Sequence, residues 1–327
     1  MKKIIIFGGE GYIGKVLSKS LIDKNYNVSS YDNLTYEDQS FSFDKNLISI
    51  NEDILNTKKL LSSLDSVDAA IILAGLVGDP ITKKYPDYSI KVNEIGVKSI
   101  INACITKKIN RLIFVSTCSN YGLIPSDVKA NEEYILNPIS LYAKSKIKIE
   151  NYIMSLKNKK LITSPTILRF ATAFGYSPRM RFDLTVNQFV KEMWENKEIT
   201  VYDKETWRPY CHVKDFARLM IKILEAPKEI VDFEIFNAGG DENNYTKEMI
   251  AESIKNILST GKINYLKNDV DPRNYRVNFD KLKKIINFTP KYSIEYGIEE
   301  VLSKIKQNKF SNIKNFHGNF LIKDALN

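Results

Sequence analysis

The stretch Lys3-Ile4-Ile5-Ile6-Phe7-Gly8-Gly9-Glu10-Gly11-Tyr12-Ile13-Gly14 decides the fold. Its apolar run suits a strand buried on both faces, as in a parallel sheet. Glycines follow at 8, 9, 11 and 14, and a helical pattern then runs to about Lys24. Gly9, Gly11 and Gly14 satisfy the dinucleotide spacing G-x-G-x-x-G, and Gly8, Gly11 and Gly14 satisfy the wider G-x-x-G-x-x-G form. Glycine is demanded there because the backbone turns tightly and approaches a pyrophosphate, whose charge rests on the helix amino terminus at Tyr12 and Ile13. An isolated glycine pattern is a weak signal. Here the strand before it, the helix after it and an acid at the next strand end agree.

That acid is Asp32, which closes the strand Asn27 to Tyr31. A carboxylate there accepts bonds from both hydroxyls of an adenosine ribose and repels a 2′-phosphate, which favours NAD over NADP. The plainer alternative is a turn residue in Asp32-Asn33. Asp53-Ile54 follows the strand Leu47 to Ile50 and could contact adenine. A fourth strand, Asp68-Ala69-Ala70-Ile71-Ile72, ends in Leu73-Ala74-Gly75, small residues that let the chain pass close beneath a cofactor. On the helix expected near Ser89 to Lys107, Ile90, Val97, Ile100, Ile101 and Ile105 are core positions, and Asn93 is the polar residue expected to face the site.

Chemistry is expected at the next strand, Arg111-Leu112-Ile113-Phe114-Val115, which runs into Ser116-Thr117-Cys118-Ser119-Asn120-Tyr121-Gly122. Ligands of open parallel sheets bind beyond the carboxyl ends of strands, so hydroxyls there are candidates for chemistry. Asn137-Pro138-Ile139-Ser140 then opens a helix on which Tyr142 and Lys146, four apart, share a face. A free tyrosine titrates near about 10. An ammonium beside it, with the positive ring of an oxidised nicotinamide, would lower that value toward the working pH of a general base. The spacing is weak evidence alone: with 18 Tyr and 40 Lys, about two Tyr-x-x-x-Lys matches arise by chance, and two occur, the second being Tyr210 with Lys214. Only Tyr142 follows a hydroxyl cluster at a strand end behind a glycine-rich amino terminus.

Composition narrows the rest. The 327 residues suit two domains, or one large nucleotide-binding domain with a smaller appendage. The net charge is +9, but 40 of the 48 basic residues are Lys, scattered without an aromatic-interleaved block, which favours a solvated basic surface over nucleic-acid binding. Cys104, Cys118 and Cys211 are isolated and odd in number, and His212 and His317 are too few for a His-rich site. A reducing cytoplasm and no structural metal are expected. The start Met1-Lys2-Lys3 is like that of an export signal, but its apolar run stops at Phe7, and no later run is long enough to span a membrane.

Together these features resemble the extended short-chain dehydrogenase/reductase family, in its nucleotide-sugar epimerase and dehydratase group. The resemblance covers nearly the whole chain and rests on Gly8-x-x-Gly11-x-x-Gly14, Asp32, Asp53-Ile54, Leu73-Ala74-Gly75, Asn93, Ser116-Thr117 with Tyr121-Gly122, and Tyr142-x-x-x-Lys146. It implies an α/β fold with a Rossmann-type doubly wound parallel sheet and a smaller α/β carboxyl-terminal domain that grips the nucleotide sugar. The division implied is 1–171 with 213–240 against 172–212 with 241–327. NAD would be held by Gly8, Gly11, Tyr12, Ile13, Gly14, Asp32, Asn33, Asp53, Ile54, Leu73, Ala74, Gly75, Asn93, Ser116, Tyr142 and Lys146. Thr117, Tyr142 and Lys146 would be catalytic. A homodimer is implied, packed through a four-helix bundle built from helices at about 89–107 and 140–157.

The substrate side follows from the second half. Pro165 to Phe170 is a sixth strand, after which the chain leaves the sheet through Gly175-Tyr176-Ser177-Pro178-Arg179-Met180-Arg181. Family members often carry Asn against the diphosphate two or three residues after the strand arginine; Thr172 stands there. Trp207-Arg208-Pro209-Tyr210-Cys211-His212-Val213-Lys214-Asp215 resembles the family's Arg-Asp-Tyr-x-His-Val-x-Asp element, with Pro209 replacing its Asp, and offers Arg208 to the diphosphate. Asp271 to Arg276 offers Arg273 as a second ligand. Forked guanidinium donors suit phosphate oxygens. Five of only eight Arg, at 179, 181, 208, 273 and 276, fall in the substrate domain, with structural salt bridges as the plainer alternative. Expected substrate contacts are Thr117, Cys118, Ser119, Thr172, Arg179, Arg181, Arg208 and Arg273. The segment 167–183 is similar to that of GDP-heptose 4-dehydrogenases of bacterial capsule pathways.

The resemblance implies oxidation at C4 of a nucleoside-diphosphate sugar, ending as a 4-epimerase or a 4-dehydrogenase. A non-catalytic nucleotide-sensing module is the alternative from another class, but such relatives typically lose the tyrosine or the lysine. A 4,6-dehydratase is disfavoured. Its acid and base directly follow the strand-end Thr as Asp-Glu, or at least a Glu, where this chain has Cys118 and Ser119.

Overall fold

The computed structural model describes residues 2–36, 44–267, 273–307, 309–310, 318–319 and 322. Asp271, Pro272, His317 and most of the tail from residue 308 lie outside the described residues. In chain order the strands are β1 (Lys3–Phe7), β2 (Asn27–Asp32), β3 (Leu47–Asn51), β4 (Ala69–Ile72), β5 (Arg111–Thr117), β6 (Lys129–Ala130), β7 (Ser164–Phe170), β8 (Thr172–Phe174), β9 (Glu198–Tyr202), β10 (Trp207–His212), β11 (Glu234–Ala238), β12 (Asn244–Thr246), β13 (Lys262–Leu266) and β14 (Arg276–Val277). One seven-stranded sheet has the order β11-β7-β5-β4-β1-β2-β3, and every neighbouring pair in it is parallel. The order reverses between β1 and β4, and that switch point is where doubly wound sheets open a crevice beyond their carboxyl ends.

Alternation along β1 explains the layers. Ile4 and Ile6 share one core with Leu17 of the helix Tyr12–Ile22 and with Phe216 and Met220 of the helix Val213–Glu225. Ile5 and Phe7 face the opposite core, with Ile100, Ile101, Ile149 and Ile153. Both faces of the central strands are covered, so β1 and β4 are apolar over nearly their whole length. A third core gathers Phe174, Met180, Val186, Phe189, Val190, Ile199, Val201, Ile250, Ile254, Ile294 and Ile298. It is bounded by a small sheet ordered β12-β10-β8 and the parallel pair β13-β9. Tyr12 of the glycine-loop helix belongs to this third core, which joins it to the large sheet.

Ser140 caps the helix Leu141–Met154, its hydroxyl accepting from the Ala143 amide at 3.2 Å. The helix expected near 89–107 is divided: Pro86–Ile90, a π-helical turn Lys91–Gly96, and Val97–Thr106. The widened turn seats Asn93 against the backbone beyond β4. No helix among the described residues is long and apolar enough to cross a membrane.

Candidate active site

The carboxyl ends of the central strands open into a cavity of about 900 Å³. Gly8, Gly11, Tyr12, Ile13 and Gly14 line one side of it, at the amino terminus of the helix Tyr12–Ile22. Gly8 lies at φ +85°, and a Cβ there would come within 2.7 Å of the Ala74 amide nitrogen. At Gly14 a Cβ would sit 2.4 Å from the Gly8 carbonyl oxygen. Neither position admits a side chain, which leaves the backbone open to close approach by a phosphate. Asp32 lines the cavity, and its carboxylate accepts from the amides of Glu10 at 3.0 Å and Leu34 at 2.9 Å. Burial pushes this carboxyl up to about 6, outweighing those two bonds. It therefore shapes the turn and faces the cavity at once. Asn33 and Asp53 line the wall together, Asn33 Nδ2 donating to Asp53 Oδ2 at 2.9 Å. Ile54, Leu73, Ala74 and Gly75 also line it. These residues fit an extended dinucleotide.

Asn93 is a correction: it does not line the cavity. Its Oδ1 accepts from the Leu76 amide at 2.8 Å and its Nδ2 donates to the Leu76 carbonyl at 3.0 Å. These bonds brace the loop after β4.

Thr117, Tyr142 and Lys146 share the floor of the cavity. Thr117 Oγ1 accepts from the Ser119 amide at 3.1 Å. Lys146 Nζ donates to the Val115 carbonyl at 2.8 Å and lies 5.7 Å from the centre of the Tyr142 ring. Burial drives the Tyr142 phenol above its ordinary range, and the foremost group opposing that rise is the Arg181 guanidinium. Burial also draws the Lys146 ammonium down to about 8, against the pull of Glu150. The expected lowering of the phenol by Lys146 is thus not what the protein alone produces: both groups are desolvated, and desolvation dominates. Ser116 lines the cavity, yet its hydroxyl is committed to Glu150 Oε1 at 2.5 Å. Asn120 joins that carboxylate at 2.8 Å, and Arg169 grips it through Nη2 at 2.7 Å and Nε at 3.1 and 3.2 Å.

Cys118 is the second correction. It begins the 3-10 turn Cys118–Tyr121, which turns it into the core beside Leu168, while Ser119 faces the cavity. Its Sγ donates to the Arg169 carbonyl at 3.1 Å, and burial raises its thiol. It makes no contact with the cavity.

Ser119, Thr172, Arg179, Arg181, Arg208 and Arg273 all line the cavity, as expected of substrate contacts by position. Ser119 Oγ lies 3.2 Å from the Tyr275 hydroxyl, and Arg208 lies over the Tyr275 ring at 4.9 Å. Arg273 pairs with Asp79 at 2.6 Å. Arg181 engages both oxygens of Asp183, at 3.0 and 2.5 Å. Arg276 lies outside the cavity, over the Trp207 ring at 5.0 Å. Sequence reasoning missed Tyr36, Asp79, Asp183, Tyr275 and Asn319, all of which line the cavity. Asp183 carried a signal, an acid two places after Arg181, and Tyr275 stands in the quoted Arg273 element. Asn319 carried none. Gln188 and Glu192 of the helix Thr185–Asn196, bonded to each other at 2.8 Å, line the same cavity with Glu198, Thr200 and Tyr202.

Comparisons with known proteins agree with this geometry. The chain is 25% identical over 323 residues to UDP-glucuronate 4-epimerase of Thermodesulfobacterium geofontis, covering 93% of this chain and 96% of that one. It is 27% identical over 311 residues to an uncharacterised UDP-glucose epimerase, YtcB, of Bacillus subtilis, covering 90% and 95%. Among solved structures, UDP-glucuronic acid 4-epimerase from Bacillus cereus, in complex with UDP-glucuronic acid and NAD, superposes with a TM-score of 0.84 at 26% identity, over 94% of this chain and 99% of that one. The model of the NAD dependent epimerase/dehydratase family matches residues 4–239, so with the glycine cradle, Asp32 and the Tyr142–Lys146 pair in one cavity, the chain belongs to that family.

Proposed function

We propose that this chain is an NAD-dependent oxidoreductase acting at C4 of a nucleoside-diphosphate sugar, as a 4-epimerase or a 4-dehydrogenase, in the supply of sugars for a surface polysaccharide. The observation that carries this reading is one cavity holding Thr117, Tyr142 and Lys146 between the glycine cradle and Arg208 with Arg273. NAD, when bound, would accept a hydride from the sugar and, in an epimerase, return it. Tyr142 takes the proton of the C4 hydroxyl as that hydride leaves, and Thr117 Oγ1 holds the same hydroxyl in line. Lys146 supplies a positive charge that favours the phenolate, and an oxidised nicotinamide adds a second. Arg208 and Arg273 anchor the diphosphate, leaving the sugar ring free to turn over. Return of the hydride to the other face makes an epimer, and release of the ketosugar makes a dehydrogenase.

The relatives named above carry the names of UDP-sugar epimerases, while the segment 167–183 is similar to that of GDP-heptose 4-dehydrogenases, so both nucleotides belong in the first assay. The proposal includes the two-part division at 171, 212 and 240. It excludes 4,6-dehydration, because Ser119 has no carboxylate and Cys118 is turned away.

The test incubates the protein and NAD with UDP-, GDP-, CDP- and dTDP-sugars and follows NADH absorbance, product NMR and product mass. The expected product is a C4 epimer or ketone that keeps its C6 oxygen. Tyr142→Phe should slow turnover about a hundred- to ten-thousand-fold while leaving NAD binding nearly intact. A product lighter by one water overturns the C4-only mechanism. Identical behaviour of Tyr142→Phe and the unaltered chain would favour the sensing module.

A further inference from the structure

We infer that Arg179 and Asn319 are cofactor-binding residues, so that the chain near its carboxyl end contributes to the dinucleotide site. The inference rests on the NAD reading above and moves Arg179 from the substrate's side to the cofactor's. Arg179 is 3% exposed and Asn319 6%, and both line the cavity. Arg179 Nη1 donates to Asn319 Oδ1 at 2.7 Å and Nη2 to the Gly318 carbonyl at 3.0 Å. Asn319 Nδ2 donates in turn to the Val77 carbonyl at 2.9 Å. The Arg179 guanidinium lies over the Tyr36 ring at 4.9 Å, and the Tyr36 hydroxyl accepts from the Val77 amide at 3.4 Å. Ile322 bridges antiparallel to Tyr36 and is buried in the core with Ile5 and Phe7.

These contacts place the group on the cofactor's half of the cavity. Tyr36 follows Asp32 by four residues beyond β2, and Val77 follows Gly75 by two beyond β4. Asp32 belongs to the wall expected to meet adenosine ribose, and Gly75 to the strand end expected to pass close beneath the cofactor. Arg208 groups with Ser119 and Tyr275, and Arg273, bonded to Arg208, reaches the loop beyond β4 at Asp79 and not at Val77. A planar fork of donors whose orientation is fixed by a stacked ring and two bonds is suited to phosphate and ribose oxygens. Residues 309–322 lie outside the stretch matched by the family model.

Binding that uses Asn319 must be reciprocal: a bound dinucleotide should steady Gly318 to Ile322 by as much as those residues strengthen its binding. The experiment uses the full chain. Hydrogen exchange of the 318–322 region is measured with and without NAD, and Asn319→Ala is assayed for NAD and for UDP and GDP affinity, with its thermal melt checked. We expect NAD to slow exchange in that region, and Asn319→Ala to weaken NAD about tenfold and to speed its release, with UDP and GDP affinities held within about twofold. Unchanged exchange together with unchanged NAD affinity in a folded variant overturns the inference and leaves the functional reading standing. Weaker UDP or GDP binding with unchanged NAD returns Arg179 and Asn319 to the substrate and also overturns it. An unaltered chain that binds no NAD removes the functional reading itself.

Discussion

Asp32 shows how one side chain sets both cofactor choice and a pH dependence. Its carboxyl is raised from an ordinary value of 3.8 to about 6 because it is buried, and the amides of Glu10 and Leu34 only partly offset that. Between those two values the folded chain holds the proton more tightly than the unfolded one, so this group's contribution to stability is present below 3.8 and is lost as pH rises through about 6. NAD binding runs the other way, since the ribose hydroxyls need the ionised carboxylate as acceptor. Affinity for NAD should therefore climb between about pH 5 and 7. Asp32→Asn should flatten that climb, weaken NAD about tenfold or more, and relax discrimination against NADP. A titration of NAD affinity against pH checks this; a flat profile in the unaltered chain would reduce Asp32 to its turn. The catalytic pair was legible at the same scale, but only through context. Tyr210 has the same spacing to Lys214, yet Tyr210 is wholly buried in β10 and Lys214 pairs with Glu300, far from any role in the cavity.

At the scale of elements, the helix Leu141–Met154 carries Tyr142, Lys146 and Glu150 at intervals of four, and the last of these anchors the helix to its neighbours. Glu150 is 2% exposed, and it ties the helix to β5 through Ser116, to the 3-10 turn through Asn120 and to β7 through Arg169. Removing one partner of such a buried pair leaves the other charge without compensation. Glu150→Ala should cost about 3–5 kcal/mol of stability, measured by denaturant unfolding, and Glu150→Gln less. A loss within about 0.5 kcal/mol, the usual scatter of surface changes, would show the network to be incidental. The two misplaced site residues are also failures at this scale. Asn93 lies in the π-helical turn Lys91–Gly96, where it bonds to Leu76. An extended strand end would expose Cys118, but the chain enters a 3-10 turn immediately after Thr117. Neither distortion has a sequence signature in apolar periodicity.

For the whole molecule, the large sheet was legible because its central strands are covered on both faces and β1, β4 and the first part of β5 are therefore near-continuous apolar runs. The small sheets were not, since strands of two or three residues such as β6, β8, β12 and β14 are too short to show any period. The join between the parts was equally silent. The Tyr12 hydroxyl donates to the Gly175 carbonyl at 2.6 Å and accepts from Asn187 at 3.2 Å, which keys the glycine-loop helix into the third core. Burial on the outside of the molecule bears on assembly. The helices Val97–Thr106 and Leu141–Met154 lie side by side, joined by Tyr152 to Asn102 at 2.5 Å, with Lys148 reaching Glu94 at 3.0 Å. Beside this pair Ile90 is 36% exposed and Ile95 57%, apolar area that a two-fold four-helix bundle would bury. We expect a dimer of twice 37.6 kDa by light scattering. Ile95→Asp would put a charge on that apolar face in each subunit, and burying it unpaired in such an interface would oppose association. The variant should run at the single-chain mass and keep its NAD affinity, since Ile95 does not line the cavity. An unaltered chain that already runs at the single-chain mass at micromolar concentration would leave Ile95 an ordinary exposed side chain and remove the bundle from the description of this protein.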